Sequence, residues 1–167
     1  MKTMRTFKTL IFAGLCSQLA LAEEGFVELF NGTDLSGWTG DGYAVKDGAI
    51  VCTPQGKNLM SKKEYSNYVL DFEFKLPAGG NNGLGIHYPG KGDAAYTAVE
   101  LQILDDSHPK YDKLEDSQYH GGLYKLQAAK RGHLKPVGEW NKQRVVVNGN
   151  HVSIELNGVV INDANLD

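Results

Sequence analysis

The sequence predicts an all-β fold, an antiparallel β-sandwich or jelly roll, on three observations. Residues 70–76 alternate Leu70, Phe72, Phe74 and Leu76 with Asp71, Glu73 and Lys75, the period of a half-buried strand. Turn signals recur at close intervals, at Asn31-Gly32, Asp47-Gly48, Asn148-Gly149 and Asn157-Gly158. No stretch of ten or more residues carries a convincing helical period. Short strands between frequent turns close on one another as sandwiches.

In chain order, residues 1–22 read as a signal peptide. Lys2, Arg5 and Lys8 form a basic start, residues 10–15 an apolar centre, and Ala20-Leu21-Ala22 a small-x-small signal before Glu23. The apolar run is too short to span a bilayer. A lipoprotein would use Cys16, but Leu15 stands where a small residue is usual. The expectation is cleavage after Ala22, a periplasmic or secreted location, and one domain over residues 23–167 with one core.

Seventeen Lys and Arg against 20 Asp and Glu leave a formal charge of −3, and loss of the leader makes the balance more acidic. Nucleic acid is therefore not an expected partner, nor is an anionic lipid surface, and no segment predicts an integral membrane protein. Cys52 is the one cysteine beyond the leader, so no intramolecular disulfide forms. Its flanks, Val51 and Thr53, predict a packed and inert thiol.

The strands follow. Residues 28–30 precede the Asn31-Gly32 turn, and residues 43–45 and 49–52 flank Asp47-Gly48 as a hairpin. Residues 83–88 and 96–104 are strand-like runs joined by a loop of Gly, Asp and Lys. Alternation puts Val99, Leu101 and Ile103 on one face and Glu100 and Gln102 on the other. It likewise puts Leu84 and Ile86 together, with Gly85 and His87 opposite. Residues 110–118 hold a short helical turn, and residues 144–147, 151–156 and 159–161 complete the set around two Asn-Gly turns. Repeats, linkers, nucleotide-binding loops and spaced Cys/His zinc sets are all lacking.

Several motifs then come in a telling order: LFNGTDLSGW at 29–38, NNGLGIH at 81–87, VELQILDD at 99–106, HGGLY at 120–124, KPVGEWN at 135–141 and VVVNGNHVSIELNG at 145–158. In content and spacing the chain resembles the 3-keto-disaccharide hydrolase family over nearly all of residues 23–167. The resemblance implies a concanavalin-like jelly roll, exported by bacteria, acting on glycosides oxidised to a ketone at carbon 3. The chain departs from the family pattern where His87 replaces an Arg and Asn82 a Ser, and imidazole offers fewer donors than guanidinium. The family pattern also continues into further strands beyond Asp167, which implies a sandwich incomplete at its C-terminus.

A ketone at carbon 3 acidifies the hydrogen at carbon 2, so cleavage by elimination needs a base there, donors to the enolate oxygen and an acid at the leaving oxygen. Glu100, His120 and Asp105 are the catalytic candidates. Asn81, His87, Gln102, Tyr124, Lys135 and Trp140 are the candidates for holding an oligosaccharide or keto-sugar. A glycosidase using two carboxylates, Glu100 and Asp105, is a competing mechanism. A carbohydrate-binding module without catalysis is the alternative function, and a laminin-G-like adhesion domain a weaker one. No cofactor or metal is expected: Asp105, Asp106 and His108 have the composition of a divalent-metal cluster but equally that of a turn.

Overall fold

The computed structural model describes residues 25–92 and 97–167. The leader expected over residues 1–22 lies outside them, as does Tyr96, where one strand was expected to begin.

The strands run in short antiparallel pairings. β1 (Trp38–Gly40) pairs with β4 (Leu59–Ser61), and β2 (Tyr43–Lys46) with β3 (Ala49–Cys52). The β2–β3 turn has φ of 51° at Asp47 and 74° at Gly48, the double positive φ that matches strand twist in a two-residue hairpin. Two expectations change here. Residues 28–30 join no ladder: the Asn31 side chain turns the following chain by accepting from the amides of Thr33 and Asp34. Cys52 is exposed, because the β2–β3 hairpin lies apart from the buried core cluster and has little to pack against.

The main sheet has the order β10-β9-β8-β5, from β5 (Tyr68–Phe74), β8 (Asn141–Asn148), β9 (His151–Leu156) and β10 (Val159–Asn165). The alternation seen in the sequence is what this sheet uses. Along β5, Tyr68, Leu70, Phe72 and Phe74 turn inward while Val69, Asp71 and Glu73 face out. Inward residues of β8 and β9 include Val145, Val147, Val152, Ile154 and Leu156, each 2% exposed or less.

The opposing layer is β6 (Asn81–Ile86) against β7 (Val99–Leu104), extended by residues 120–124 along the other edge of β7. Gln102 exchanges backbone hydrogen bonds with this segment: its N–H donates to the Gly122 carbonyl and its carbonyl accepts from Gly121, both at 2.9 Å. Ile86, Leu101 and Leu123 of this layer meet the main sheet in one apolar cluster, burial that drives the two layers together. Residues 110–118 supply two 3-10 turns, Pro109–Tyr111 and Asp116–Gln118. No helix among the described residues is long and apolar enough to cross a membrane.

β10 carries a bulge: its register against β9 shifts between Val160 and Asn162. One extra residue breaks alternation, so consecutive Ile161 and Asn162 are both buried. Asn162 Nδ2 donates to the Gly121 carbonyl at 3.0 Å, and its Oδ1 accepts from Gln127 Nε2 at 2.8 Å. The Ile161 carbonyl accepts from the Lys130 amide. The bulge thus ties the segment holding residues 120–130 to the main sheet.

Candidate active site

The outward face of the β6–β7 layer is set by register. Gly85 stands opposite Glu100, Gly83 opposite Gln102 and Asn81 opposite Leu104. On the other side of β7 the Tyr124 amide donates to the Glu100 carbonyl at 2.8 Å and brings Tyr124 alongside Glu100. Glu100, Gln102 and Tyr124 therefore share one face, with Gly83 and Gly85 on the neighbouring strand.

Each of the three is held differently. Glu100 is half-buried, and loss of water pushes its carboxyl above the usual range. Gln102 is 5% exposed and its Oε1 has no partner. The Tyr124 oxygen accepts from Gln118 Nε2 at 2.9 Å, and the amide orientation of Gln118 is fixed because its Oε1 accepts from the Glu115 amide. The hydroxyl hydrogen of Tyr124 is thereby left to donate elsewhere.

Other candidates go to other places. Asn81 begins β6 on the same outward face and is exposed. His87 lies just past β6 in the left-handed region (φ 53°), so the alternation that would set it beside Gly85 stops short of it. His120 does not join Glu100. It is 2% exposed, stacks on Phe74 of β5 with centroids 5.1 Å apart, and sits between the layers. Its Nδ1 accepts from the Leu104 amide at 3.4 Å, which assigns the ring hydrogen to Nε2. Gln143 of β8 approaches the ring and opposes part of the effect of burial, yet neither Nε2 nor the Gln143 amide forms a hydrogen bond of normal geometry. Burial dominates and lowers the imidazole pKa to about 4.

Asp105 is a brace. Its Oδ2 accepts from the Gly79 amide at 2.7 Å and its Oδ1 from the amide and hydroxyl of Ser107, bonds that hold its carboxyl below the usual range, the Ser107 hydroxyl foremost. Asp106 accepts from the His120 amide at 2.8 Å and lies 3.8 Å from Arg131, whose guanidinium stacks 3.5 Å from the Tyr119 ring centre. His108 Nδ1 accepts from the Lys110 amide. Asp105, Asp106 and His108 are thus occupied in turns, and no three potential ligands gather among the described residues.

A cleft of about 640 Å³ opens beyond the end of β7, between residues 105–107 and 131–137, with Leu76, Leu134, Pro136 and Val137 among its walls. Lys135 lines it, but Glu100, Gln102 and Tyr124 do not. The Lys135 ammonium donates to the Trp140 carbonyl, and Trp140 is 44% exposed with the Lys75 ammonium 4.9 Å from its ring centre. Two further residues support this face without being sequence candidates: Gln118, which aims Tyr124, and Asn162, which anchors the segment carrying it. A polar residue next to an apolar one late in a strand was the signal for Asn162, and it reads as a bulge only once the register is known.

A family model described as a 3-keto-alpha-glucoside-1,2-lyase-like domain matches residues 25–167. A 3-keto-disaccharide hydrolase of Bacteroides thetaiotaomicron is 29% identical, with 78% of this chain aligned to 55% of its length. The chain thus spans about half the length of that curated relative. Two solved structures from Parabacteroides distasonis, each described as a "putative glycosyl hydrolase", superpose with TM-scores of 0.72 and identities of 26% and 28%. They are covered over 66% and 71% of their chains by 77% and 82% of this one.

Proposed function

The chain belongs to the 3-keto-alpha-glucoside-1,2-lyase-like domain family, and from that premise we propose that it cleaves glycosides already oxidised to a ketone at carbon 3. Glu100 takes the proton from carbon 2, leaving an enolate. The enolate expels the group at carbon 1, whose oxygen takes its proton from a water molecule as the bond breaks. Water then adds across the new double bond and completes a net hydrolysis. Gln102 and the Tyr124 hydroxyl donate to the oxygen on which the enolate charge develops, where preorganised donors act most strongly.

The observation that carries this reading is Glu100 itself: a half-buried carboxyl with a raised pKa, a stronger base than an ordinary glutamate, beside a tyrosine whose hydrogen is uncommitted. The two-carboxylate glycosidase is disfavoured because Asp105, its second acid, is buried with both oxygens taken up by Gly79 and Ser107.

Removing a proton carrier costs about 10²–10⁴-fold in rate. Glu100→Gln is expected to lose that much turnover of a 3-keto-glucoside while keeping its fold, and the unoxidised glucoside is expected to be a poor substrate. Equal turnover of oxidised and unoxidised sugars would refute elimination. Sugar binding with no turnover of either by the wild-type chain would make the domain a binding module. Export is part of the same proposal, on the leader-like residues 1–22. The mature mass is expected to begin at Glu23, and a retained leader or a lipid on Cys16 would overturn it.

A further inference from the structure

Among the described residues, fourteen glycines sit in turns or at positive φ, but Gly83 does neither. It lies inside β6, and its φ is not in the left-handed region, so the backbone there asks for no glycine. What needs the space is a side chain from the neighbouring strand. A Cβ on residue 83 would fall 2.6 Å from Glu100 Cδ and 2.7 Å from its Cγ, with Oε1 in still closer conflict.

Glu100 is not the direct partner of Gly83; that is Gln102, and Gly85 is opposite Glu100. The Glu100 side chain therefore leans diagonally across β6 and lies over the bare backbone at 83. At Gly85 an added Cβ would meet only the Ala98 Cβ at 3.5 Å, ordinary contact. The two glycines are equivalent by strand and face, and only one of them is crossed by the carboxylate.

We propose that Gly83 is a positioning residue for Glu100: the missing side chain at 83 is what lets the carboxylate lie along the outward face of β6. This rests on the reading of Glu100 as the proton carrier. A methyl group at 83 meets the end of a flexible side chain rather than backbone, so Glu100 swings away and the fold survives. The carboxylate then stands further into water and out of line with carbon 2. A displacement of about 1 Å at a catalytic group costs on the order of 10²-fold in rate.

The test is Gly83→Ala, with Gly85→Ala as its control, read first by carbon-13 NMR titration of the Glu100 carboxyl, which needs no substrate. Gly83→Ala is expected to bring the Glu100 pKa down toward the ordinary glutamate range, and Gly85→Ala to leave it as in the wild type. Turnover of a 3-keto-glucoside is expected to fall about 10²-fold in kcat in Gly83→Ala, with KM changed less. Gly83→Ala combined with Glu100→Gln is expected to be no slower than Glu100→Gln alone, since both act through one group. An unchanged titration in Gly83→Ala, an equal shift in Gly85→Ala, or additive losses in the double variant would each overturn the proposal. If Glu100→Gln is fully active, the assignment of this face as the active site falls, and the titration still decides the role of Gly83. If Gly83→Ala does not fold, its combination with Glu100→Ala decides: restored folding supports the conflict with Glu100, and continued failure overturns it.

Discussion

Burial and hydrogen bonding give three titratable side chains within 21 residues three different tasks. Glu100 keeps a partly wetted carboxyl with a raised pKa, Asp105 loses its acceptor capacity to Gly79 and Ser107, and His120 is held neutral between the layers. The imidazole makes stability pH-dependent. Its folded pKa is depressed from 6.5 to about 4, so above 6.5 neither folded nor unfolded chain carries its proton. Between those values the unfolded chain takes up a proton that the folded one refuses, and stability falls as pH falls. By pH 4.5 the loss is roughly 2–3 kcal/mol. Urea unfolding at pH 7.5 and 4.5 should show a drop in the wild type that is smaller by about that amount in His120→Phe. Equal drops in the two proteins would mean that the ring is not held neutral.

At the scale of elements, the bulge in β10 connects fold to site. It turns Asn162 inward, where it holds the Gly121 carbonyl and the Gln127 amide, and so fixes the segment that lays Tyr124 beside Glu100. Leaving the buried Gly121 carbonyl without this donor costs about 1–3 kcal/mol. Asn162→Ala is therefore expected to lower the thermal midpoint and to speed hydrogen exchange across residues 121–127. It should also lower turnover of the keto-sugar without touching it. Unchanged exchange in that segment would show that the bulge is not its anchor.

Across the whole molecule, β5 ends the main sheet on one side and β6 ends the opposing layer, each with no further ladder partner among the described residues. Inner residues near these edges, Tyr68, Leu70, Phe72, Leu84, Val99 and Ile103, are only half-buried. Unpaired edges beside apolar surface are templates for association between chains. Val69 sits on the outward face of β5 and is 43% exposed, so a charge there costs little in the folded chain and obstructs edge pairing. Val69→Lys is expected to reduce light scattering on concentration at an unchanged unfolding midpoint. Scattering equal to the wild type would exclude the β5 edge as the point of association.

Local order was legible in the sequence because it depends on short-range rules. Alternation assigned Leu70, Phe72 and Phe74 to the core and put Glu100 and Gln102 on one face, and Asp47-Gly48 and Asn157-Gly158 marked hairpins where both φ values are positive. The order of motifs was enough to identify the family. Composition did not reveal β4, whose Leu59-Met60-Ser61 becomes a strand only by pairing with β1, nor the ends of β5, β6 and β8, which are set by partners distant in the chain. The site was divided in the same way. Which side chains share a strand face follows from a period of two. Which polar group is buried, braced or left reactive depends on what lies across from it: Phe74 over His120, Gly79 and Ser107 on Asp105, and bare backbone at Gly83 beneath Glu100. Those contacts join residues far apart in the chain, and only the tertiary structure brings them together.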